Sequence, residues 1–346
     1  VKTLDRYLLR EILAYLSGGV AVVVLLLLGG VLFEAMGPLL TRGIGGLEVA
    51  RYLAWRVPEA LARGLPIAYL FALLLALSRM AEDAELKVLL ASGIPRTRVL
   101  LTLVGLGTAL AGLGFWLGAQ VVPTSSQKAR EVLQQAILAR PLALLEPGSF
   151  FTDATGELVY VGQVAEGGLK DVRVLSPGAV LAAPEGRFSR GTLFLQKGIR
   201  ITYEGSRPRT VATFAQAKMT LRGLATLPRA PLSELSPAAL KARIAEAKRR
   251  GTPYAAEATA YWRKWAEPAA SVVFALFAGG LAFWLLGGTR TLGLVGVVTV
   301  TFFYYATWSV FRIMGEQGVL APWIAAWGPD LIYLALALAL LGVGRR

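Results

Sequence analysis

The chain has 346 residues, of which 55% are hydrophobic and only 17% charged, with a mean hydropathy of +0.57. A soluble domain carries about 25% charged residues, so this chain has too little polar surface to cover a globule and lipid is its natural solvent. Its formal net charge is +14 with no cysteine and no histidine, which excludes disulfides, thiolate or imidazole metal sites, cysteine nucleophiles and every histidine-based triad.

About 20 apolar residues span a bilayer. A basic start, Lys2 to Arg10, leads into the uncharged run Ile12–Phe33. That run is too long for the apolar core of a cleaved signal and no small-x-small site follows it, so it reads as an uncleaved signal anchor. Gly64–Ser78 is uncharged but short, and reaches spanning length if extended back through the amphipathic stretch Tyr52–Arg63. Val99–Gln127 gives a third span.

From Leu144 to Leu227 the character changes. Short β-type runs appear at Ser149–Asp153, Leu158–Val164, Val172–Leu175, Thr192–Gln196, Ile199–Tyr203 and Thr210–Leu221, separated by turn pairs such as Thr155-Gly156, Glu185-Gly186 and Lys197-Gly198. Many short strands at this spacing predict an all-β sandwich or jelly roll. A basic amphipathic helix follows at Pro237–Arg250, with Ser236 placed to cap it and Gly251 to end it. Pro268–Thr289 and Thr291–Phe311 are the fourth and fifth spans, with Arg290 between them. Trp323–Val343 is the sixth, interrupted by Gly328, Pro329 and Asp330.

The fold class expected is therefore membrane α-helical with an inserted all-β domain: six transmembrane helices plus a β-jellyroll-like domain. The boundaries fall at residues 1–122, 123–252 and 253–346. Short-loop Lys and Arg set orientation. Lys2, Arg6, Arg10, Arg79, Lys87, Arg96, Arg98, Arg290, Arg345 and Arg346 share one side, against Arg42 and Arg51 on the other. Both termini and the 79–98 loop are then cytoplasmic and the β domain lies outside. This asymmetry, together with anionic lipid, accounts for the basic excess in a chain too apolar for a nucleic-acid binder.

Four constellations stand out. The loop Arg79–Pro95 patterns as a short helix, with Glu82, Asp83 and Glu85 near its start and Leu86, Leu89 and Leu90 on one face. It reads either as an interfacial linker or as a coupling helix that docks into a cytoplasmic motor. No Gly-Lys pair occurs in the chain, so there is no phosphate-binding loop of the Walker type, and any ATPase must be a separate chain. Arg56, Glu59 and Arg63 fall on one helical stripe, as ion pairs or as a basic wall facing phosphate. Trp262, Arg263, Lys264 and Trp265 precede the fourth span as an interfacial anchor or as an acidic-headgroup contact. Asp330 either starts a helix after a break at Gly328 or partners Arg312.

The opening LDRYLLREIL, the loop AEDAELKVLLASGIPRTRVL, the stretch VVPTSSQKA and the end GVLAPWIAAWGPDLIYLALALAL together resemble the LptF/LptG family, the permease subunits of lipopolysaccharide export. LVYVGQVAEGGLKDVRVL and LFLQKGIRITYEG resemble its periplasmic domain, and DVRVL with DLIYL leans toward LptF. The resemblance implies an inner-membrane ABC permease with no cofactor of its own. ATP would be bound by an LptB-like cytoplasmic ATPase dimer. A second LptF/LptG-like permease would stand beside it, and an LptC-like or LptA-like periplasmic β-jellyroll protein would receive lipopolysaccharide or a related lipid. Glu85 matches the acidic position of the docking helix. Glu34 stands where some members place a basic, lipid-touching residue.

Within the β domain, Phe150, Val159, Val161, Leu193, Leu195, Ile199 and Ile201 alternate with polar or small neighbours. Alternation puts each strand's set on one face, as a lipid conduit or as the core of a closed sandwich. The rival function is a non-transporting scaffold whose β domain binds a periplasmic partner.

Overall fold

The computed structural model describes residues 2–33, 45–139, 148–152, 157–165, 168–176, 178–189, 192–204, 207–220, 230–285 and 293–343. Glu34, Arg42, Arg290, Arg345, Arg346 and the Thr155-Gly156 turn lie outside them.

Helix α1 is Lys2–Val31, α2 Gly46–Glu82, α3 Glu85–Ala91 and α4 Arg96–Trp116. A π-helical turn, Leu117–Val121, joins α4 to α5, Val122–Ala139. After the strands come a 3₁₀ turn at Leu232–Glu234, α6 (Pro237–Arg250), α7 (Ala255–Leu285), α8 (Gly293–Glu316) and α9 (Pro322–Val343). Among the described residues, six helical stretches are long and apolar enough to cross a membrane: Thr3–Val31, Gly46–Glu82, Arg96–Ala136, Ala255–Leu285, Val295–Glu316 and Pro322–Gly342. The caps of α6 are as expected: the Ala239 amide donates to Ser236 Oγ at 3.2 Å, and Gly251 is left-handed.

The chain divides into two compact units, Val1–Gly30 with Arg56–Ser126 and Ala230–Arg346, and Val31–Trp55 with Gln127–Arg229. This division groups α6 with the helical unit, whereas the sequence boundary at 252 put it with the strands.

The first unit is built around α2, α4 and α7. Leu8 and Ile12 of α1, Tyr69 and Leu73 of α2, Leu103 of α4 and Phe274 of α7 are fully buried in one core. The Tyr69 hydroxyl donates to the Leu103 carbonyl at 2.6 Å, which satisfies its polar tip in an apolar interior. Gly107 lets α4 close on α7, since a Cβ there would meet the Ser271 carbonyl oxygen at 2.7 Å.

The expected interruption of the sixth span is absent. Helix α9 runs unbroken through Pro329. Gly328 serves packing instead: a Cβ there would strike the Phe311 ring of α8 at 2.2 Å. Asp330 is therefore neither a helix start nor a partner for Arg312. It is buried and accepts a hydrogen bond from the Tyr304 hydroxyl at 2.8 Å. Arg312 lies 3.7 Å from Glu316 and over the Trp308 ring.

In the second unit, six strands form one antiparallel sheet in sequential order: β1 Ser149–Thr152, β2 Leu158–Ala165, β3 Gly168–Ser176, β4 Ala179–Ser189, β5 Thr192–Glu204 and β6 Arg207–Thr220. The sequence reading omitted β4 and split β5 at Lys197. Both errors have one cause. Pairing skips Gly162, Asp171, Pro184, Lys197 and Ala215, one residue per strand along a line across the sheet. Asp171 and Lys197 are left-handed there, with φ of 50° and 52°. A crease of this kind carries the residues that otherwise mark turns, so it mimics chain reversals in sequence. The same unit holds a small helical cluster, in which Val49 and Tyr52 of α2 pack with Ala129 of α5.

Candidate functional site

The segment between α2 and α4 departs from its expected form. Helix α2 continues to Glu82, Ala84 turns left-handed at φ 59°, and α3 then runs only from Glu85 to Ala91, closed by Gly93 at φ 87°. Leu86, Leu89 and Leu90 do share a face, but it is turned inward. Leu86 is 1% exposed, and Leu89 and Leu90 pack against the helical core. They hold α3 to the bundle and are not a free docking face. The outward face is Glu82, Asp83, Lys87 and Val88, with Val88 65% exposed. An apolar Val88 on the polar side of a helical wheel was the signal in the sequence.

Glu85 also has an internal partner. The Tyr7 hydroxyl donates to its Oε2 at 2.6 Å. Around it, Arg79 pairs with Glu11 and, at 3.4 Å, with Asp83. Arg98 pairs with Asp5, whose other oxygen accepts from the Thr102 hydroxyl at 2.6 Å. The base of α1 is thus laced to α2, α3 and α4. Asp5, Tyr7 and Glu11 were not singled out from sequence, although two acids in an otherwise basic start were there to be read.

The four cations assigned to lipid headgroups have protein partners. Arg56 donates from Nη1 to Glu59 at 2.5 Å and to Glu234 at 2.7 Å. Arg63 pairs with Glu59 at 2.7 Å, its side chain 46% exposed. Arg263 bonds Glu267 at 2.8 Å, lies 3.6 Å from Glu316 and stacks over Trp308 at 4.3 Å. Lys264 donates to the Ser233 carbonyl at 2.6 Å and to the Gly118 carbonyl at 3.3 Å. The π turn at Leu117–Val121 supplies Gly118, since such a turn offsets the regular carbonyl ladder. Beside it, Trp265 stacks on Phe115 at 4.4 Å. Arg56 and Lys264 therefore converge on the 3₁₀ turn Leu232–Glu234, and Glu234, whose side chain is 3% exposed, was missed as their partner. Arg56, Arg263 and Lys264 are braced against protein, and Arg63 is the most open of the four.

The sheet has one closed face. Val159, Val161, Leu169, Val172, Val174, Ala183, Leu193 and Leu195 are buried together, with Leu181, Phe214, Ala217 and Met219 against them. Register explains the set. Val161 pairs with Val172 and that with Ala183, while Leu169 pairs with Gly186 and that with Leu195. Ile199 and Ile201 do not belong to it. The left-handed Lys197 shifts the parity of β5, so Ile199 pairs with Ala182 and Ile201 with Val180, on the opposite face. Ile199 is 40% exposed. Phe150 stands opposite Tyr160 in register, and Phe151 opposite Val159.

The family model described as "Lipopolysaccharide export system permease LptF/LptG" matches residues 6–342. The lipopolysaccharide export system permease protein LptG of Escherichia coli (strain K12) is 30% identical over 118 residues, 34% of this chain and 32% of that protein. The LptG protein of Escherichia coli O6:H1 matches with the same values. The chain thus aligns with about a third of the length of these curated relatives. A family match that runs from the first turns of α1 to the end of α9 takes in every span, the α3 segment and the creased sheet, and the chain belongs to the LptF/LptG family of lipopolysaccharide export permeases.

Proposed function

We propose that the chain is a permease subunit of an ATP-driven exporter. It takes lipopolysaccharide, or a similar anionic amphiphile, from the inner membrane and passes it to a periplasmic bridge. The observation that carries the reading is the closed apolar face of the creased sheet, in a chain that belongs to an export-permease family. Acyl chains need a continuous apolar lane, and Val159, Val161, Val172, Val174, Leu193 and Leu195 line one. In the closed state those side chains cover one another, so the lane must open along the crease for cargo to enter. Among the described residues β6 pairs with β5 on one side only, and a long edge strand of this kind suits strand addition by a partner β domain.

A separate cytoplasmic ATPase supplies the energy, and a second LptF/LptG-like permease completes the membrane unit. Glu82, Asp83, Lys87 and Val88 are the surface on which the ATPase docks, with both termini on the same side and the sheet in the periplasm. Basic residues near Glu82 and Asp83 on the ATPase would complement their charge. Arg63 is the remaining candidate for a phosphate contact at the other end of α2. Roles for Arg56, Arg263 and Lys264 at headgroups would require the ion pairs of the two arginines and the carbonyl contacts of Lys264 to open.

Val88→Glu tests this reading. It places a charge in an apolar docking contact without touching the buried Leu86, so the permease folds. The expected result is loss of ATPase co-purification and of lipopolysaccharide-stimulated ATP hydrolysis in nanodiscs. Normal recovery of ATPase with normal stimulation would contradict the docking surface. A wild-type complex that binds a periplasmic partner but never couples to any ATPase would favour the scaffold reading.

A further inference from the structure

The three polar contacts at the base of α1 share a geometry that docking alone does not call for. Their acceptors and donors sit at Asp5, Tyr7 and Glu11, within two turns of one helix. Their partners lie on three successive elements: Arg79 at the end of α2, Glu85 at the start of α3, and Arg98 with Thr102 at the start of α4. Between them Leu8 and Ile12 are fully buried, which fixes the rotation of this end of α1.

Beyond that base one side of the helix is held, with Leu16, Val20 and Val23 against the helical core, and the other side is open. Val22, Leu25 and Leu26 are exposed, and the apolar window of this span has few buried residues within the chain. A rod gripped at its base, and packed beyond it along one side only, turns as a lever about that base. Left-handed Ala84 and Gly93 bracket the α3 segment as two pivots, about which it can shift as a unit together with the core that Leu86, Leu89 and Leu90 pack into. Pivots with few restraining contacts are where rigid-body shifts concentrate. Tyr7 and Glu85 join the movable segment to the rod.

We propose that the base of α1 is the lever by which α3 drives the first span, with Asp5, Tyr7 and Glu11 as its positioning residues. This rests on the reading of α3 as the ATPase-facing segment. Displacement of α3 by the ATPase is carried to α1 through Tyr7–Glu85. Glu11–Arg79 and Asp5–Arg98 keep the base in register while it turns. The contacts are partly solvated, most at Arg79 and least at Glu11, so they can exchange during the stroke with water at hand.

The test uses the complete complex with a cysteine-free form of the ATPase, since this chain has no cysteine of its own. Spin labels at Leu25 and Leu101, both exposed, report the separation of α1 from α4 with and without a trapped non-hydrolysable ATP analogue. The wild-type complex should show a nucleotide-dependent shift. Tyr7→Phe and Glu11→Arg should each lose at least half of it with the ATPase still bound. The Glu11→Arg/Arg79→Glu exchange should restore it.

A shift that persists undiminished in both single variants would overturn the proposal, as would a wild-type complex in which α1 does not respond to nucleotide. Loss of the shift together with loss of the ATPase would also overturn it, by making these residues determinants of assembly. Failure of the exchange to recover the shift counts against the Glu11–Arg79 contact as a positioning element. The readout needs no lipid. A complex that moves α1 but never releases lipopolysaccharide keeps the lever and sinks the transport reading; a complex that transports with α1 still does the reverse.

Discussion

Two charged clusters in the helical unit use the same residue types in opposite ways. Around Glu234 the side chains are enclosed: Glu234 is 3% exposed, with Arg56, Glu59 and Arg263 nearby and nearly as covered. At the base of α1 the partners are more open: Arg79 and Asp83 are about half exposed and Arg98 and Asp5 about a third, with Glu11 the most covered. Enclosure makes the first cluster a brace. Its charges have lost their hydration, and removing one partner strands the other. Exposure makes the second cluster adjustable, because water can take the place of either partner at small cost. The brace fixes the chain where it returns from the sheet to the helices. The adjustable cluster lies where the chain is proposed to meet a motor.

The comparison predicts a descending series of effects. Glu234→Ala removes a carboxylate that pairs with the Arg56 guanidinium in an enclosed site, and should cost about 3 kcal/mol in stability, read as a fall in the thermal midpoint of the purified protein. An unchanged midpoint would mean that the brace is solvated in the membrane. Lys264→Met removes the donor shared by Ser233 and Gly118. Charge-assisted bonds of this kind are worth about 1.5–3 kcal/mol, so a loss of about 2 kcal/mol is expected, with proteolysis appearing first near residues 230–235. Glu11→Arg should change stability by less than about 1 kcal/mol while altering lipid released per ATP. A large stability loss with an unchanged ratio would erase the contrast between the clusters. Arg63→Gln should be the mildest for folding, within about 0.5 kcal/mol. Weaker binding of lipopolysaccharide would give Arg63 a headgroup role; unchanged binding would leave it as the i,i+4 partner of Glu59.

What was legible in the sequence follows the range of the physics involved. Spans depend on local hydropathy, and all six were placed. The family was legible because its motifs keep their order from LDRYLLREIL to DLIYLALALAL. Strand β4 was invisible, since AVLAAPEGRFS crosses the crease at Pro184 and loses its alternation there. The face of Ile199 and Ile201 was misassigned because a single left-handed residue, Lys197, inverts the parity of everything after it. Partners were the least legible. Arg56 finds Glu234 across 178 positions, and Tyr7 finds Glu85 across 78. Nothing local in either residue announces the other. The inward turn of Leu86 was also hidden, because a helical wheel shows that leucines share a face but not whether that face meets protein or a partner.

The proposed cargo route runs along the closed face of the sheet and not along the other. Val161 on β2 and Ile199 on β5 make this testable, because they lie on opposite faces of the one sheet. Photo-crosslinking amino acids placed at each position, in the complete complex with lipopolysaccharide in the bilayer, read that distinction directly. On that route lipopolysaccharide adducts form at Val161 only during ATP turnover, and none form at Ile199 above background. Equal adducts at the two positions, or adducts at Val161 that form without ATP, would contradict it.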